Sequence, residues 1–499
     1  MPHRLMSCSD AADSPLSCAL RELREREQVP AGFPAEVLAE AESVVQAPPI
    51  AVGVQDATDI PFFTVDPPDS MDLDQAMHLS RRSGGGYRVR YAIADVAAFV
   101  TPGGAIDAEA HRRVTTLYFP DIRVPLHPEI LSEGAASLLP DQTAPALLWD
   151  IDLDSTGDVA AVRLGRALVR SIAKLDYAGV QQAIDEGTAE EPVALLRDIG
   201  MLREEAEKAR GGISLGVPEQ EVVERPPGHY DLEYRAPLPA DSWNAQISLL
   251  TGMAAADLML AAGVGILRTL PPAERGAVEY LRRVAKALGV DWPRDTDYAT
   301  VIRTLNPQRA NHAAFLQECT TLLRGAGYTV FDGTSPEHAE HAAVADEYTH
   351  CTAPLRRLVD RYTGELCLAA VEGREPPQWV RDAMPALPEE MAEGSARANR
   401  LERECVDLAE AALMRNRVGE VFDGYVIDVN DRKEPERGTV QLYEPAVIGR
   451  VDAAEDAPQL ALGHRLRVRL TEAEPGASPV RFVPAAADTA ATADAGSSA

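Results

Sequence analysis

Alternating apolar and polar residues mark the first third of the chain. In Tyr87–Val96 the residues on one side of an extended backbone are Tyr87, Val89, Tyr91 and Ile93, which predicts a strand with one buried face. Two more strands are predicted at Leu147–Leu153 and Val159–Leu168, on either side of a Ser-Thr-Gly-Asp turn at 155–158. Residues 56–175 are therefore predicted to be rich in β-structure.

Helical periodicity dominates residues 176–415. Apolar residues recur at three- and four-residue spacing in the segments Ser242–Leu267, Glu279–Leu288, Ala310–Arg324 and Ala396–Met414. Near the N-terminus, Leu20–Gln28 and Pro34–Gln46 show the same spacing, and Ala47-Pro48-Pro49 is typical of a linker. The middle of the chain is thus predicted to be mainly α-helical.

The C-terminal part returns to short strands and turns. Five strands are predicted at Val421–Val429, Thr439–Leu442, Ala446–Val451, His464–Leu470 and Val480–Val483. Five short strands over this length are typical of a small barrel such as an OB-fold. The fold class predicted is α+β with a C-terminal all-β barrel.

These patterns divide the chain into four parts. They are a helical extension and linker at 1–55, a catalytic-type domain at 56–395, a connecting helix with an OB-fold barrel at 396–483, and a tail at 484–499. The tail is rich in Ala, Ser, Thr and Asp and is predicted to be disordered.

Composition narrows the class of protein. Hydrophobic residues make up 45% of the 499 residues, as in globular proteins, and no apolar run is expected to reach membrane-spanning length. No signal peptide is expected, and the six Cys form no CxxC pair, so neither structural zinc nor a disulfide framework is indicated. We expect a cytoplasmic protein without a membrane partner, and a monomer is favoured.

The net charge of −30 argues against a nucleic-acid partner. Positive charge need only line a channel, however, and nearly all of it here is Arg, which suits bidentate phosphate contacts better than Lys.

An acidic segment, TVDPPDSMDLDQA at Thr64–Ala76, is the first candidate site. Pro67 and Pro68 end the preceding strand-like run, and the residues after them are predicted to form a loop. Asp72 and Asp74 would face one side, with Met71 and Leu73 anchoring the other. Clustered carboxylates repel one another unless a cation lies between them, and their hard oxygens suit Mg²⁺. The spacing alone leaves three alternatives open: a magnesium site, a calcium loop and an acidic surface loop.

The flanking sequence changes that balance. Three motifs occur in a fixed order between Asp56 and Gly373. They are DIPFFTVDPPDSMDLDQA, then YRVRYAIADVAAFVTPGGAIDAEAHRRVTTLYFPDIRVPLHPEILSEGAASLLP, and much later EYTHCTAPLRRLVDR. Together they resemble the catalytic domain of the ribonuclease II and ribonuclease R (RNB) family. The resemblance implies 3′-to-5′ hydrolysis of single-stranded RNA to nucleoside 5′-monophosphates, in an αβ domain with the active site at the bottom of a narrow channel.

The resemblance also implies roles for individual residues. Asp66, Asp72 and Asp74 fall on the family's metal-binding aspartates, with Asp74 the most critical and Mg²⁺ the expected cofactor (Mn²⁺ as a substitute). Tyr118 falls on the aromatic that stacks near the 3′-terminal base, and Arg356 on the arginine that contacts the reacting phosphate. Arg357 is the natural second phosphate contact, and Tyr348 in the same motif is a further RNA-binding candidate. Without the resemblance, Tyr118 would be a half-buried strand residue and the two arginines a solvated helix face.

Several positions depart from the family pattern. Gln75 stands where a fourth aspartate is usual, so it is expected to be a weaker, uncharged metal ligand. Ala245 and Gln246 align with a Glu-Glu pair, Gly252 with an Asn, and Ala92 with a position that often carries His. Residues 1–55 are expected to lack the family's cold-shock domains. Gln75, Ala245 and Gln246 favour an alternative function, a catalytically weakened RNA-binding protein that keeps the fold.

The predicted barrel resembles the RNA-binding OB domain that follows the catalytic domain in this family. Phe422 and Tyr425 are candidates for base stacking, and the alternative is that they belong to the barrel core. A small-molecule phosphohydrolase would need a phosphate-cradling glycine loop, but the glycines at 84–86 are better explained as a hairpin turn.

Overall fold

The computed structural model describes residues 6–8, 14–46, 54–224, 230–430, 437–442, 444–445, 447–453, 460–461, 464–476 and 479–485. The predicted linker at 47–49 and nearly all of the predicted disordered tail lie outside these ranges.

The N-terminal segment contains strand β1 (Met6–Cys8) and the two predicted helices, α1 (Pro15–Arg26) and α2 (Ala35–Gln46). Helix α1 begins after Ser14, whose side-chain oxygen accepts a hydrogen bond from the Ser17 amide at 3.0 Å. Such a cap satisfies an amide that has no partner inside the helix, and Pro15 needs none. Local sequence therefore defines where this helix starts.

A six-stranded sheet in the order β2-β9-β3-β4-β5-β8 forms the centre of the next part. Its face with Val89, Tyr91 and Ile93 is buried against helices, as the alternation predicts, and the glycines at 84–86 form the hairpin turn between β4 and β5. The elements are β2 (Gln55–Asp56), β3 (Phe62–Val65), β4 (Gln75–Arg81), β5 (Tyr87–Ala94), α3 (Ala105–Arg113), β6 (Leu117–Tyr118), β7 (Arg123–Val124), β8 (Thr143–Leu153) and β9 (Val159–Leu175).

Residues 176–414 are mainly helical, as predicted, but strands interrupt the helices. The elements are α4 (Tyr177–Asp185), α5 (Glu191–Arg210), β10 (Glu219–Glu224), β11 (Tyr230–Arg235), α6 (Pro239–Ala262), β12 (Val264–Thr269), α7 (Arg275–Leu288), α8 (Tyr298–Arg303), α9 (Ala310–Cys319), β13 (Gly327–Asp332), β14 (Glu340–His341), β15 (Asp346–Glu347), α10 (Leu358–Glu372), α11 (Gln378–Ala383) and α12 (Leu387–Met414).

The prediction of a single helix over Ser242–Leu267 is wrong at the C-terminal end of that segment. Helix α6 stops at Ala262 because Gly263 adopts a left-handed backbone, with φ of 75°. The next apolar run is strand β12, which pairs with β13. Glycine tolerates this conformation at low cost and commonly terminates helices.

Helix α6 is also long and apolar enough to cross a membrane, contrary to the sequence expectation. Within the most apolar stretch of this helix, 56% of the residues are buried inside the protein. Its side chains Ile247, Leu250 and Ala254 lie in the main hydrophobic core, where α6 packs against α5 and α10. A mostly apolar helix is typical of the centre of a globular domain, so this feature is weak evidence for a membrane span.

The C-terminal part is a closed five-stranded barrel in the order β16-β17-β18-β20-β19. Its strands lie within three residues of the predicted positions: β16 (Val421–Asn430), β17 (Arg437–Leu442), β18 (Ile448–Asp452), β19 (Arg465–Glu472) and β20 (Arg481–Pro484). The predicted fold class, α+β with a C-terminal OB-like barrel, is confirmed.

Helix α12 joins the two halves of the molecule. Its Leu401, Cys405 and Leu408 pack in one apolar cluster with Leu20 and Leu23 of α1. The N-terminal segment therefore packs on the rest of the protein, and the boundary predicted between residues 395 and 396 falls inside a continuous helix.

Candidate active site

The acidic loop begins where β3 ends. The amide of Asp66 donates to the carbonyl of Leu175 at 3.0 Å, and the next two residues, both prolines, end the pairing. Further along, the Ser137 hydroxyl donates to the Met71 carbonyl at 2.6 Å and accepts from the Leu73 amide at 2.9 Å. Leu73 is fully buried, as predicted, but Met71 is 41% exposed and does not anchor the loop. The Ser137 hydroxyl holds the backbone there instead.

Asp74 is the most deeply buried carboxylate of the loop, with 2% exposure. Its Oδ1 accepts a hydrogen bond from the Leu355 amide at 2.7 Å, and its Oδ2 lies 3.3 Å from Nε of Arg356. Burial nevertheless raises its pKa to about 8, because desolvation of the charged form outweighs these two favourable contacts. A further positive charge at this position would therefore be stabilising.

The negative charge of Asp66, like that of Asp74, is not fully compensated by its neighbours. Its Oδ2 is buried and has no hydrogen-bond partner among the described residues. Burial raises the pKa of Asp66 to about 6, and the nearby charge of Asp72 raises the pKa of both Asp66 and Asp74 further. A buried carboxylate oxygen without a partner is the kind of atom that a hard cation satisfies.

Asp72 is paired differently. One nitrogen of the Arg123 guanidinium binds Asp72, and another binds Glu133. Since Arg123 holds Asp72 and Arg356 lies against Asp74, arginine side chains supply the positive charge at this site. No three carboxylate, imidazole or thiol groups in the described part of the chain are arranged as a metal site.

Tyr118 and Arg356 reach this loop from distant parts of the sequence. The amide of Thr116 and the hydroxyl of Thr115 both donate to the Arg356 carbonyl, at 3.0 and 2.9 Å. These bonds place the start of the β6–β7 hairpin beside Arg356, and the charge of the guanidinium opposes the rise that burial causes in the pKa of the Tyr118 hydroxyl. The Tyr118 residue stays 43% exposed. Asp74, Tyr118 and Arg356 are thus brought together, although their roles remain predictions.

Arg357 and Gln75 face other partners. The Arg357 guanidinium donates twice to Asp360, once at 2.7 Å, and Asp360 also accepts from the Ala353 amide. The Gln75 side-chain amide donates to the Thr352 carbonyl. The predicted role of Arg357 as a phosphate contact would require it to share or exchange Asp360, whereas the bond of Gln75 uses its side-chain nitrogen and not the oxygen that a metal would take.

Comparison with known proteins defines the family. Residues 54–372 match the RNB domain. The chain belongs to the RNB domain family. Residues 420–485 match the C-terminal S1 domain of RNase II-type exonucleases. Ribonuclease R of Vibrio cholerae is 28% identical over 434 residues, covering 81% of this chain and 52% of that protein. Ribonuclease R of Escherichia coli is 27% identical, covering 81% of this chain and 51% of that protein. The chain spans about half the length of these curated relatives.

Solved structures show the same fold. Apo RNase R of Mycoplasma genitalium superimposes with a TM-score of 0.80 at 19% identity, covering 95% of this chain and 78% of that one. The same protein bound to ribose-methylated single-stranded RNA gives the same values. Yeast Ssd1, described as a pseudonuclease, matches with a TM-score of 0.63 at 14% identity over 81% of this chain and 51% of that one. At these identities the likeness extends to the fold alone.

Two of the positions at which this RNB chain departs from the family pattern, Gly252 and Gln246, are constrained by their neighbours. Gly252 lies so close to Tyr348 that an added Cβ would be 2.2 Å from its ring, so an Asn cannot fit there without movement of that ring. Tyr348 itself packs edge-on against His341 and His350, with centroids 5.9 and 5.6 Å away. Gln246 is buried and donates to Glu207 of α5.

The predicted base-stacking role of Phe422 and Tyr425 is wrong. Phe422 is 6% exposed in the barrel core, where its ring meets Phe482 at 6.4 Å. Tyr425 is 1% exposed on the other face of β16, among apolar residues of α7 and α9. Neither ring can reach a base, because the barrel interior covers one and the helices cover the other.

Sequence reasoning missed several residues that shape the site, namely Arg123, Glu133, Ser137 and the Leu355 amide. Arg123 lies in the same LYFPDIRVP motif as Tyr118. A search for the positive charge that crowded carboxylates require would have found it. The backbone amide of Leu355 carries no such signal.

Proposed function

We propose that this protein is a metal-dependent exoribonuclease that shortens single-stranded RNA from its 3′ end and releases nucleoside 5′-monophosphates. One observation carries the proposal. The buried Asp74 contacts the Leu355 amide and Arg356, and Thr115 and Thr116, just before Tyr118, hydrogen-bond the Arg356 carbonyl, so three distant segments meet at one point. The names of the relatives, ribonuclease R, support the same activity.

Asp66, Asp72 and Asp74 would hold the metal, with Gln75 as a weaker neutral ligand. Binding would draw together three carboxylates that are not arranged as a metal site here. The unpartnered oxygen of Asp66 and the raised pKa of Asp74 fit a divalent cation, and Mg²⁺ suits all-oxygen ligands best, with Mn²⁺ as an alternative. When bound, such an ion supplies water activation and stabilisation of the leaving oxygen in phosphodiester hydrolysis.

The chain's own residues bind and orient the RNA. The side chain of Arg356 is 49% exposed, and its planar fork fits phosphate oxygens and can stabilise charge that develops during reaction. The exposed ring of Tyr118 offers a stacking surface that accepts any base, as a general degrading enzyme needs. Water adds to phosphorus while the bond to the 3′ oxygen of the preceding nucleotide breaks, which leaves a 3′-hydroxyl on the shortened RNA.

The test is hydrolysis of 5′-labelled single-stranded RNA with Mg²⁺. We expect a ladder of shortened products from the wild type and none from Asp74→Asn, since the amide cannot supply the buried charge. Asp69→Asn is the matched control, because Asp69 is an exposed carboxylate of the same loop and should retain activity. Equal product from wild type and Asp74→Asn would refute the proposal.

A second candidate function is an RNA-binding protein with weakened catalysis. The engagement of Asp72 by Arg123 and the missing charge at Gln75 favour it. In that case the wild type would bind the labelled RNA without shortening it at any Mg²⁺ or Mn²⁺ concentration. Single-stranded RNA is the proposed partner under both candidates, and monomeric state and cytoplasmic location stay predictions.

A further inference from the structure

The hairpin that carries Tyr118 is very short. Strands β6 and β7 contain two residues each, with Tyr118 directly opposite Arg123. A two-stranded hairpin of this size has too few cross-strand bonds to be stable by itself. Its conformation must therefore be held by contacts with the rest of the protein.

Helix α1 makes one set of these contacts. Arg24 binds both carboxylate oxygens of Asp121, at the hairpin turn, with distances of 2.6 and 3.0 Å. The Arg24 and Asp121 side chains are only 16% and 19% exposed. The same guanidinium lies 5.2 Å from the ring centroid of Phe119. A partly buried bidentate pair of this kind restricts geometry far more than an exposed ion pair does.

Apolar packing reinforces the ion pair. Leu117, Phe119 and Val124 of the hairpin share one buried cluster with Leu16, Leu20 and Leu23 of α1. Since side chains alternate along a strand, burial of Leu117 and Phe119 against α1 directs Tyr118 to the opposite side. That side faces Arg356 and Asp74.

On its inner side the hairpin is tied to the proposed catalytic residues. Arg123 binds Asp72, and the residues leading into β6 hydrogen-bond the Arg356 backbone. A shift of the hairpin relative to α1 would therefore move the Tyr118 ring. Helix α1 lies outside the RNB domain match, which starts at residue 54.

We propose that helix α1 is a positioning element of the active site and that Arg24, through Asp121, sets the orientation in which Tyr118 stacks on the 3′-terminal base of RNA. The inference rests on the proposed function, because it presupposes that Tyr118 stacks on RNA. Arg24 is a positioning residue and touches no substrate.

The test measures stacking without cleavage, in full-length protein carrying Asp74→Asn. One RNA carries 2-aminopurine at its 3′ end, and a matched RNA has an abasic 3′ residue. Stacking quenches 2-aminopurine fluorescence and strengthens binding of the RNA with a base over the abasic RNA, by about fivefold to a hundredfold for one base on an aromatic ring. We expect Arg24→Gln to lose most of the quenching and most of this preference, while its affinity for the abasic RNA stays unchanged.

Arg26→Gln is the matched control. Arg26 lies on the same helix but pairs with Glu27 and Glu404, neither of which belongs to the hairpin, so its loss should change neither readout. The double variant Arg24→Asp with Asp121→Arg should restore the preference in part, which a general loss of folding could not do. If Arg24→Gln does not fold, Asp121→Asn provides the same measurement from the hairpin side.

The outcomes separate this inference from the proposed function. If Arg24→Gln and Asp121→Asn keep the wild-type preference while Tyr118→Ala loses it, Tyr118 stacks but α1 does not position it, and the inference is overturned. If Tyr118→Ala also keeps the preference, the stacking role fails and the inference fails with it, whereas hydrolysis of labelled RNA still tests the nuclease itself.

Discussion

The β6–β7 hairpin and strand β16 of the barrel both place aromatic residues on strands, and both looked like base-stacking elements in the sequence. In the hairpin, the neighbours of Tyr118 are buried against α1 and leave its ring accessible. In β16, Phe422 faces the barrel interior while Tyr425, on the other face, is covered by helices. The hairpin is held by ion pairs together with apolar packing of the neighbours of Tyr118, so the Tyr118 ring itself is not needed to hold the strand, whereas both rings of β16 are part of the packing.

The sharpest test of this contrast is alanine substitution in each region. Phe422→Ala should destabilise the barrel by about 3–5 kcal/mol, because it leaves a cavity in a closed core. Tyr118→Ala should barely change stability but weaken binding of RNA with an intact 3′ base. Thermal unfolding and RNA titration measure the two effects. A Phe422→Ala protein with normal stability and weaker RNA binding would erase the distinction.

Removal of an ion pair in the hairpin region should act on metal binding. Arg123 orients Asp72 through a direct contact. Arg123→Gln is therefore expected to weaken Mn²⁺ binding by about 10–100-fold, as is typical when a residue that hydrogen-bonds a metal ligand is removed. Titration followed by electron paramagnetic resonance measures this without RNA. Arg112→Gln, at a 65% exposed side chain, serves as the control. Tighter Mn²⁺ binding would mean that Arg123 competes with the metal for Asp72.

The pH dependence of stability should also distinguish the regions. Burial raises the pKa of Asp74 from 3.8 to about 8 and that of Asp66 to about 6. The folded state therefore binds these protons more tightly than the unfolded state, and the stability they contribute is lost as pH rises from about 4 through about 8. Without metal, the unfolding temperature of the catalytic domain should fall over this range. Added Mg²⁺ should raise it by several degrees at pH 8.5 and little at pH 5.

The control for this prediction is Asp74→Asn, in which a neutral amide replaces the titrating group. This variant should show a flatter pH profile and a smaller response to Mg²⁺. An equal Mg²⁺ effect at pH 5 and pH 8.5 in the wild type would show that the buried carboxylates are not where the metal acts.

The smallest expected effect is at the position that departs from the family. Gln75→Asp adds a negative charge next to Asp74 but removes the hydrogen bond to the Thr352 carbonyl. Because ligand charge tunes affinity for hard cations, the Mg²⁺ concentration for half-maximal hydrolysis should fall by about threefold. Gln75→Ala should not show this decrease. An unchanged requirement in Gln75→Asp would mean that residue 75 does not contact the metal.

Local patterns predicted much of the fold. The alternation in β5, the hairpin at 84–86 and the five barrel strands all depend on neighbouring residues, and all are confirmed. The split between α6 and β12 was missed because β12 is stabilised by β13, about sixty residues later, and local periodicity cannot report such a partner.

The candidate site shows the same limit. Asp66, Asp72 and Asp74 are close together in sequence, and the resemblance added Tyr118 and Arg356 from distant motifs. The exposure of Met71 and the burial of Phe422 depend on what covers each face in three dimensions, as does the contact of Arg24 with Asp121. Side-chain type and spacing in the sequence carry no information on which distant residues pack over each face.

Helix α12 limits how the protein can be divided. It runs from Leu387 to Met414 without interruption, beginning beside the catalytic domain and ending at the barrel, where Ala411 and Met414 join the barrel's apolar cluster. A protein truncated at residue 395 would lose the surface on which α1 docks, and a separately expressed barrel would expose the face around Tyr425. Domain exchange between relatives should therefore keep α12 whole by placing its junction after Met414, and should match the barrel to the helix surface on which Tyr425 packs.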